Sequence, residues 1–137
     1  MKIRSRMNNL VAIVATFAAV LAENTIVAIT ANRTVNKAGA GAVAVGHVFK
    51  PAKAVNGTGS IETTFKAFIE IKFDGAVVAG DRVKLSAADG DGNQRVKKWV
   101  SQTFDGDGVA TGDTADLIYG LCWYGGADGA TGEVLVY

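Results

Sequence analysis

The stretch IETTFKAFIEIKFDGAVVAGDRVKLSA, residues 61–87, is where side-chain period, turn chemistry and strand propensity agree. From Ile61 to Phe73 the odd positions are Ile61, Thr63, Phe65, Ala67, Ile69, Ile71 and Phe73, and the even ones are Glu62, Thr64, Lys66, Phe68, Glu70 and Lys72. Successive side chains of a strand point to opposite faces, so this order predicts an apolar odd face and a charged even face. Phe68 is the apolar residue that breaks the even set. Asp74-Gly75 and Gly80-Asp81 are turn pairs, and Arg82 to Ser86 alternates again with Val83 and Leu85 on one side. A strand, a tight connection and a second strand follow.

Outward from this unit the chain alternates short apolar runs with turn clusters. Asn24 to Ala31 and Ala42 to Phe49 read as strands, the second closed by Lys50-Pro51, and Val55 to Ser60 reads as a turn. Beyond Ser86, a turn at Asp89 to Asn93 leads to a basic strand over Arg95 to Gln102 and a Gly/Asp loop over Phe104 to Asp113. Leu117 to Tyr124 and Gly132 to Tyr137 are the last strands. About six to eight short strands predict an all-β fold, a small barrel or sandwich forming one domain over 23–137, with no internal repeat and no linker. Length supports one core rather than two, because the chain has 137 residues. With 17 Gly and one Pro, the many small residues suit a turn-rich β fold better than a helical bundle.

Residues 1–22 stand apart. Lys2, Arg4 and Arg6 precede the apolar run Leu10 to Ala22, which has the form of a secretory signal but also of a retained apolar arm that needs a surface to cover it. The run is short for a membrane span, which takes about 20 apolar residues. An extended apolar N-terminal arm carrying Leu10, Val14, Phe17 and Leu21 is the expectation. Charge excludes little else: fourteen Lys plus Arg against thirteen Asp plus Glu give no bulk attraction for nucleic acid or an anionic membrane.

The motifs that carry chemistry are incomplete. Asp89, Asp91 and Asn93 have the spacing that opens a calcium loop, but its sixth and twelfth positions hold Gln94 and Val100 instead of Gly and Glu. A turn is the better account, and the same holds for Asp105 to Gly108. His47 is the single histidine and Cys122 the single cysteine, which removes an internal disulfide and a Cys/His metal cluster; His47 reads as a core or interface histidine and Cys122 as a small buried hydrophobe. No G-x-S-x-G sequence places a serine nucleophile, and no phosphate loop occurs. Neither enzyme activity nor a cofactor is expected. Phe68, Trp99, Trp123, Tyr124 and Tyr137 are the apolar excess, and Phe68 and Trp99 join the arm residues as candidate interface positions.

The order of segments resembles the small all-β capsid cement, or head-decoration, proteins of tailed bacteriophages. The resemblance rests on Asn24 to Ala31 (NTIVAITA), Val45 to Phe49 (VGHVF), Glu62 to Phe73 (ETTFKAFIEIKF), Val78 to Leu85 (VAGDRVKL), Leu117 to Cys122 (LIYGLC) and Gly129 to Tyr137. It covers residues from about Glu23 onward and leaves the first 22 outside the family's pattern. It implies a non-enzymatic virion protein on the outer surface of the head, a homotrimer bridging subunits of the major capsid protein. The alternative is a secreted or cell-surface carbohydrate-binding module using Trp99, Trp123 and Tyr124 as stacking platforms, with residues 1–22 cleaved as a signal peptide.

Overall fold

The computed structural model describes residues 2–6, 12–63 and 67–136, and these are all-β. Thirteen strands occur among them: β1 (Lys2–Arg6), β2 (Ala12–Phe17), β3 (Ile26–Ala31), β4 (Thr34–Lys37), β5 (Gly46–Lys50), β6 (Thr58–Glu62), β7 (Ala67–Phe73), β8 (Arg82–Ser86), β9 (Arg95–Lys98), β10 (Thr103–Phe104), β11 (Ala110–Thr111), β12 (Gly120–Tyr124) and β13 (Thr131–Val136). They do not make the single core that the length implied. Strands β2 to β6 close in the order β2-β4-β3-β5-β6 around Phe17, Val27, Val35, Val48 and Ile61. Strands β7, β13, β12, β8 and β9 form a second sheet that closes through the parallel pair β7–β9 around Ile69, Ile71, Phe73, Val83, Val96 and Val134. The expected alternation holds over β7, whose odd positions from Ala67 to Phe73 are buried, whereas Ile61 and Glu62 belong to β6 in the other barrel and are both buried, so the charged face does not extend to Glu62.

The two barrels are the same fold laid down twice. In each, the first strand runs parallel to the third and antiparallel to the fifth, and the second pairs with the third and fourth. Register agrees from pair to pair except at the end of β3–β4, where a shift between Ile29 and Ala31 has no counterpart in β8–β9. Phe17 stands opposite Val35 as Phe73 stands opposite Val96, and Val27 opposite Gly46 as Val83 opposite Gly120. Val48 meets Ile61 and Cys122 meets Val134, each followed by a bulge that leaves Lys50 opposite Ser60 and Tyr124 opposite Glu133.

The connecting hydrogen bonds repeat as well. Asn24 N–H donates to Val48 O at 2.8 Å and Gly80 N–H to Cys122 O at 2.9 Å. Val48 N–H reaches Thr25 O at 2.9 Å and Cys122 N–H reaches Asp81 O at 2.8 Å. Asn56 N–H bonds Phe17 O at 2.7 Å where Gly129 N–H bonds Phe73 O at 3.1 Å. The left-handed turn positions are therefore filled by Asn24 and Asn56 in one barrel (φ 66° and 59°) and by Gly80 and Gly129 in the other (φ 90° and 76°). At the last strand, Thr58-Gly59 and Thr131-Gly132 serve one purpose: a Cβ on either glycine would overlap the ring of Phe17 or Phe73.

Residues 12–22, expected outside the β domain as an arm, belong to the first barrel. The alternation of Ala15 and Phe17 inward and Val14 outward is that of a strand, β2, and Phe17 and Leu21 lie in its core. The backbone of β1 pairs antiparallel with β7 of the second barrel. Residues 7–11 lie outside the described residues.

Barrel one turns one side of its outer wall towards barrel two. Ile26 and Ala38 join the second core, with Ala28, Ala42 and Ala44 packed against it. The Gln94 side chain bridges the two: its Oε1 accepts from Ile26 N–H at 2.9 Å, and its Nε2 donates to Ile26 O at 2.9 Å and Ala38 O at 3.0 Å. Buried His47 shares a 2.6 Å hydrogen bond through Nε2 with the Tyr119 hydroxyl, as befits a core histidine. Burial pushes the Tyr119 phenol well above its ordinary value of 10. A group whose folded pKa is raised contributes stability that is complete below its unfolded pKa and is lost as pH rises towards the folded one. Tyr119→Phe is therefore expected to cost about 1–2 kcal/mol near neutrality, through the lost bond to buried His47. It should also weaken the fall of stability above pH 10, and urea denaturation across that range measures both effects.

Candidate interaction face

The outer wall of barrel two carries a row of apolar side chains fixed by register. Phe68 stands opposite Leu135, Leu135 opposite Leu121, and Leu121 opposite Arg82, so four adjoining strands present these residues on one face. Phe68, Leu135 and Leu121 are half-buried and Arg82 is exposed. Trp123 is the extra residue of the bulge between Cys122 and Tyr124, and a bulge re-aims side chains that an unbroken strand would alternate. Its ring meets Phe68 edge-on, with centroids 5.6 Å apart and an interplanar angle of 67°. Trp123 and Tyr124 remain 62% and 66% exposed and, with Val78, Ala76, Ala79 and residues 125–127, line an open groove of about 520 Å³.

At the other end of the row the Arg82 guanidinium lies 5.7 Å from the centre of the Trp99 ring, a cation–π arrangement. Trp99 is held in turn by Nε1 donating to Thr114 O at 2.9 Å. Thr114 belongs to the connection 99–119, which is longer than its counterpart 38–45 in barrel one and adds the exposed hairpin β10–β11. Asp113 ties this insertion down. It pairs with Lys84 and accepts Val100 N–H at 3.0 Å; burial opposes its charge, but Lys84 and that N–H hold its carboxyl below the usual range. Lys98 bonds Asp81 at 2.7 Å and lowers that carboxyl foremost. Lys84 and Lys98 are thus engaged with Asp113 and Asp81, and Arg82 lies against Trp99, so the row is apolar and aromatic from Phe68 to Leu121 and ends in a cation.

The corresponding row on barrel one is Ala12, Glu62, His47 and Ile26, with Ala38 in the place of Trp99. Glu62, His47, Ile26 and Ala38 are buried, because that side of barrel one faces barrel two. One face of the repeated fold is therefore covered in the first barrel and open, with larger apolar residues, in the second.

Of the sequence-predicted positions, Phe68 and Trp99 stand at opposite ends of this row and do not touch in it. Phe17 and Leu21 are core residues and present nothing to a partner, because β2 is part of a closed barrel. Val14 is exposed on β2, remote in register from the row, and Leu10 lies outside the described residues. Leu121, Leu135 and Val78 escaped the sequence reading, since only cross-strand register places them beside Phe68. Trp123 and Tyr124 are adjacent at the surface, whereas Trp99 is lodged against Thr114 and Arg82 and does not share their groove.

The two Asp/Gly loops are turns. Asp89 Oδ1 accepts the N–H groups of Asp91 and Asn93, and Asp105 Oδ1 those of Asp107 and Val109, so each carboxylate is engaged by its own loop. Cys122 is a buried small hydrophobe whose thiol is pushed up by burial and by Asp81.

No family model matches the chain, and no curated protein matches it. Among solved structures it is similar to the head fiber gp8.5 N base of bacteriophage phi29, at 10% identity and a TM-score of 0.45, over 94% of this chain and 95% of that one.

The half-buried setting of Phe68 predicts a modest cost on its removal. Phe68→Ser should lower stability by about 1–2 kcal/mol, mainly through the edge-on contact with Trp123 and partial burial. Phe17→Ala, which empties a core position, should cost about 3–5 kcal/mol. Urea unfolding of the two variants separates a surface row from a core.

Proposed function

We propose that this chain is a structural capsid cement protein that seats on the outer surface of a phage head and stabilises the lattice of the major capsid protein. The observation that carries the reading is the open apolar row Phe68–Leu135–Leu121 with the Trp123/Tyr124 groove, which adds to the resemblance in segment order. Large exposed apolar and aromatic groups on a small domain mark protein contact sites, and Trp and Tyr dominate such contacts energetically. The groove is lined by Ala, Val, Gly, Trp and Tyr, without a carboxylate, amide or guanidinium to bond sugar hydroxyls. A protein surface suits it better than a carbohydrate.

In this reading the protein acts by mass action. Many copies that bind only the expanded lattice lower its free energy and oppose internal pressure without any chemical step. The row on barrel two contacts capsid subunits or sister copies, and a homotrimer is the assembly proposed. No residue has a catalytic role in this account, and no cofactor, nucleic acid or membrane takes part.

Co-sedimentation with expanded heads lacking their own decoration tests it. The wild-type chain is expected in the head pellet, and Leu121→Asp/Leu135→Asp, which places two charges in the row, is expected in the supernatant with its circular dichroism unchanged. Wild-type protein that stays in the supernatant at saturating heads, or retention on an oligosaccharide column abolished by Trp123→Ala, would overturn the cement reading.

A further inference from the structure

The repeated row ends differently in the two barrels. In barrel one its last positions are Ile26 and Ala38, both buried against barrel two, with the Gln94 side chain bonded to the N–H and O of Ile26. In barrel two the same positions are Arg82, which is exposed, and Trp99. The covered face therefore closes on apolar groups and the open face on a cation over an indole.

The guanidinium is held in place from below. Trp99 is fixed at two points, its backbone N–H donating to Arg82 O at 2.7 Å and its Nε1 to Thr114 O at 2.9 Å. The ring so held carries the Arg82 guanidinium 5.7 Å from its centre. A cation–π contact uses the flat face of the guanidinium and leaves the N–H groups on its rim to donate, in the planar fork that matches a carboxylate. Thr114 lies in the insertion 99–119, so the longer connection of barrel two supplies the part that steadies the ring. The neighbouring carboxylates are taken, Asp81 by Lys98 and Asp113 by Lys84, and no carboxylate among the described residues forms an ion pair with Arg82.

We infer that Arg82 is the charged contact of the open face and takes one carboxylate side chain of the capsid protein, set beside an aliphatic stretch that covers Leu121 and Leu135. The inference rests on the capsid reading and adds to it the chemistry of the partner. Charge complementarity carries the choice. Covering the row strips water from Arg82, and a carboxylate restores the hydrogen bonds and charge balance that burial removes. One cation among paired charges suits one carboxylate rather than a polyanion, and the net charge of +1 gives nucleic acid no field to follow. The apolar row supplies contact area, and the ion pair fixes which partner surface fits it.

The test is co-sedimentation of the full chain with expanded heads lacking their own decoration, titrated at several salt concentrations. Arg82→Met keeps most of the volume without the charge; it should weaken head binding about tenfold or more and flatten the salt dependence. Arg82→Lys keeps the charge without the fork and should fall between Arg82→Met and the wild type, while Arg82→Glu should lose binding. Lys53→Met, which removes an exposed charge from the β5–β6 connection of barrel one, should bind as the wild type does. Arg82→Met that binds as tightly as the wild type with the same salt dependence overturns the contact and leaves the capsid reading standing. Equal weakening by Lys53→Met reveals a bulk charge effect and overturns it as well. Wild-type chain that does not bind heads overturns both. Self-association of the free chain that Arg82→Glu abolishes, with head binding intact, assigns the carboxylate to a second copy and overturns the assignment to the capsid protein.

Discussion

Closure of a five-stranded sheet on itself is the constraint from which the rest of this structure follows. In each half the sheet closes because the first strand serves two partners, the fifth along its length and the third at its end. In both barrels that point is occupied by the last residue of the first strand, Phe17 or Phe73, whose ring lies over the glycine of the Thr-Gly pair in the fifth. A side chain at Gly59 or Gly132 would hold the strands apart. The ring seals one end of each core, and the glycine lets the backbone come under it.

Because the closing contact is satisfied within each half, each barrel has its own core, and the two meet over a shared wall. That wall combines apolar contacts from Ile26 and Ala38 with a few directional bonds, the Gln94 bridge and the His47–Tyr119 pair, which fix how the barrels sit together. The same wall on barrel two is left facing outward and is occupied by larger apolar groups. The same face of the repeated fold is thus covered in barrel one and open in barrel two, and the insertion at 99–119, pinned by Asp113 and Trp99, borders the open one.

Much of the all-β character was legible in the sequence, and some of it for sound physical reasons. The turn pairs and the Asp/Gly loops reflect local rules and are present, and period two holds over 67–73, but the single strand it implied over 61–73 is divided between β6 and β7 of different barrels. Asp89 and Asp105 are turn residues and His47 and Cys122 are buried, in keeping with their sequence contexts. What was hidden is long-range. The duplication is carried by scattered pairs such as Val27 and Val83, Gly46 and Gly120, and Thr58-Gly59 and Thr131-Gly132, separated by loops whose lengths differ between the halves. Asn24 and Asn56 do the work of Gly80 and Gly129, so even the turns differ in letter while agreeing in φ. Residues 12–22 looked like an arm because β2 is apolar and small-residue-rich, and no local signal tells such a segment from a leader. The open apolar row was legible only through Phe68, since Leu121 and Leu135 become its neighbours through pairing.

The central claim is that one five-stranded barrel occurs twice in this chain with the same register. Through-hydrogen-bond scalar couplings in isotope-labelled protein test it most directly, since they detect individual N–H···O=C pairs. The account predicts couplings for Val48 N–H to Thr25 C=O and for Asn56 N–H to Phe17 C=O, each matched by its counterpart, Cys122 N–H to Asp81 C=O and Gly129 N–H to Phe73 C=O. Couplings in one half without their counterparts in the other would contradict it.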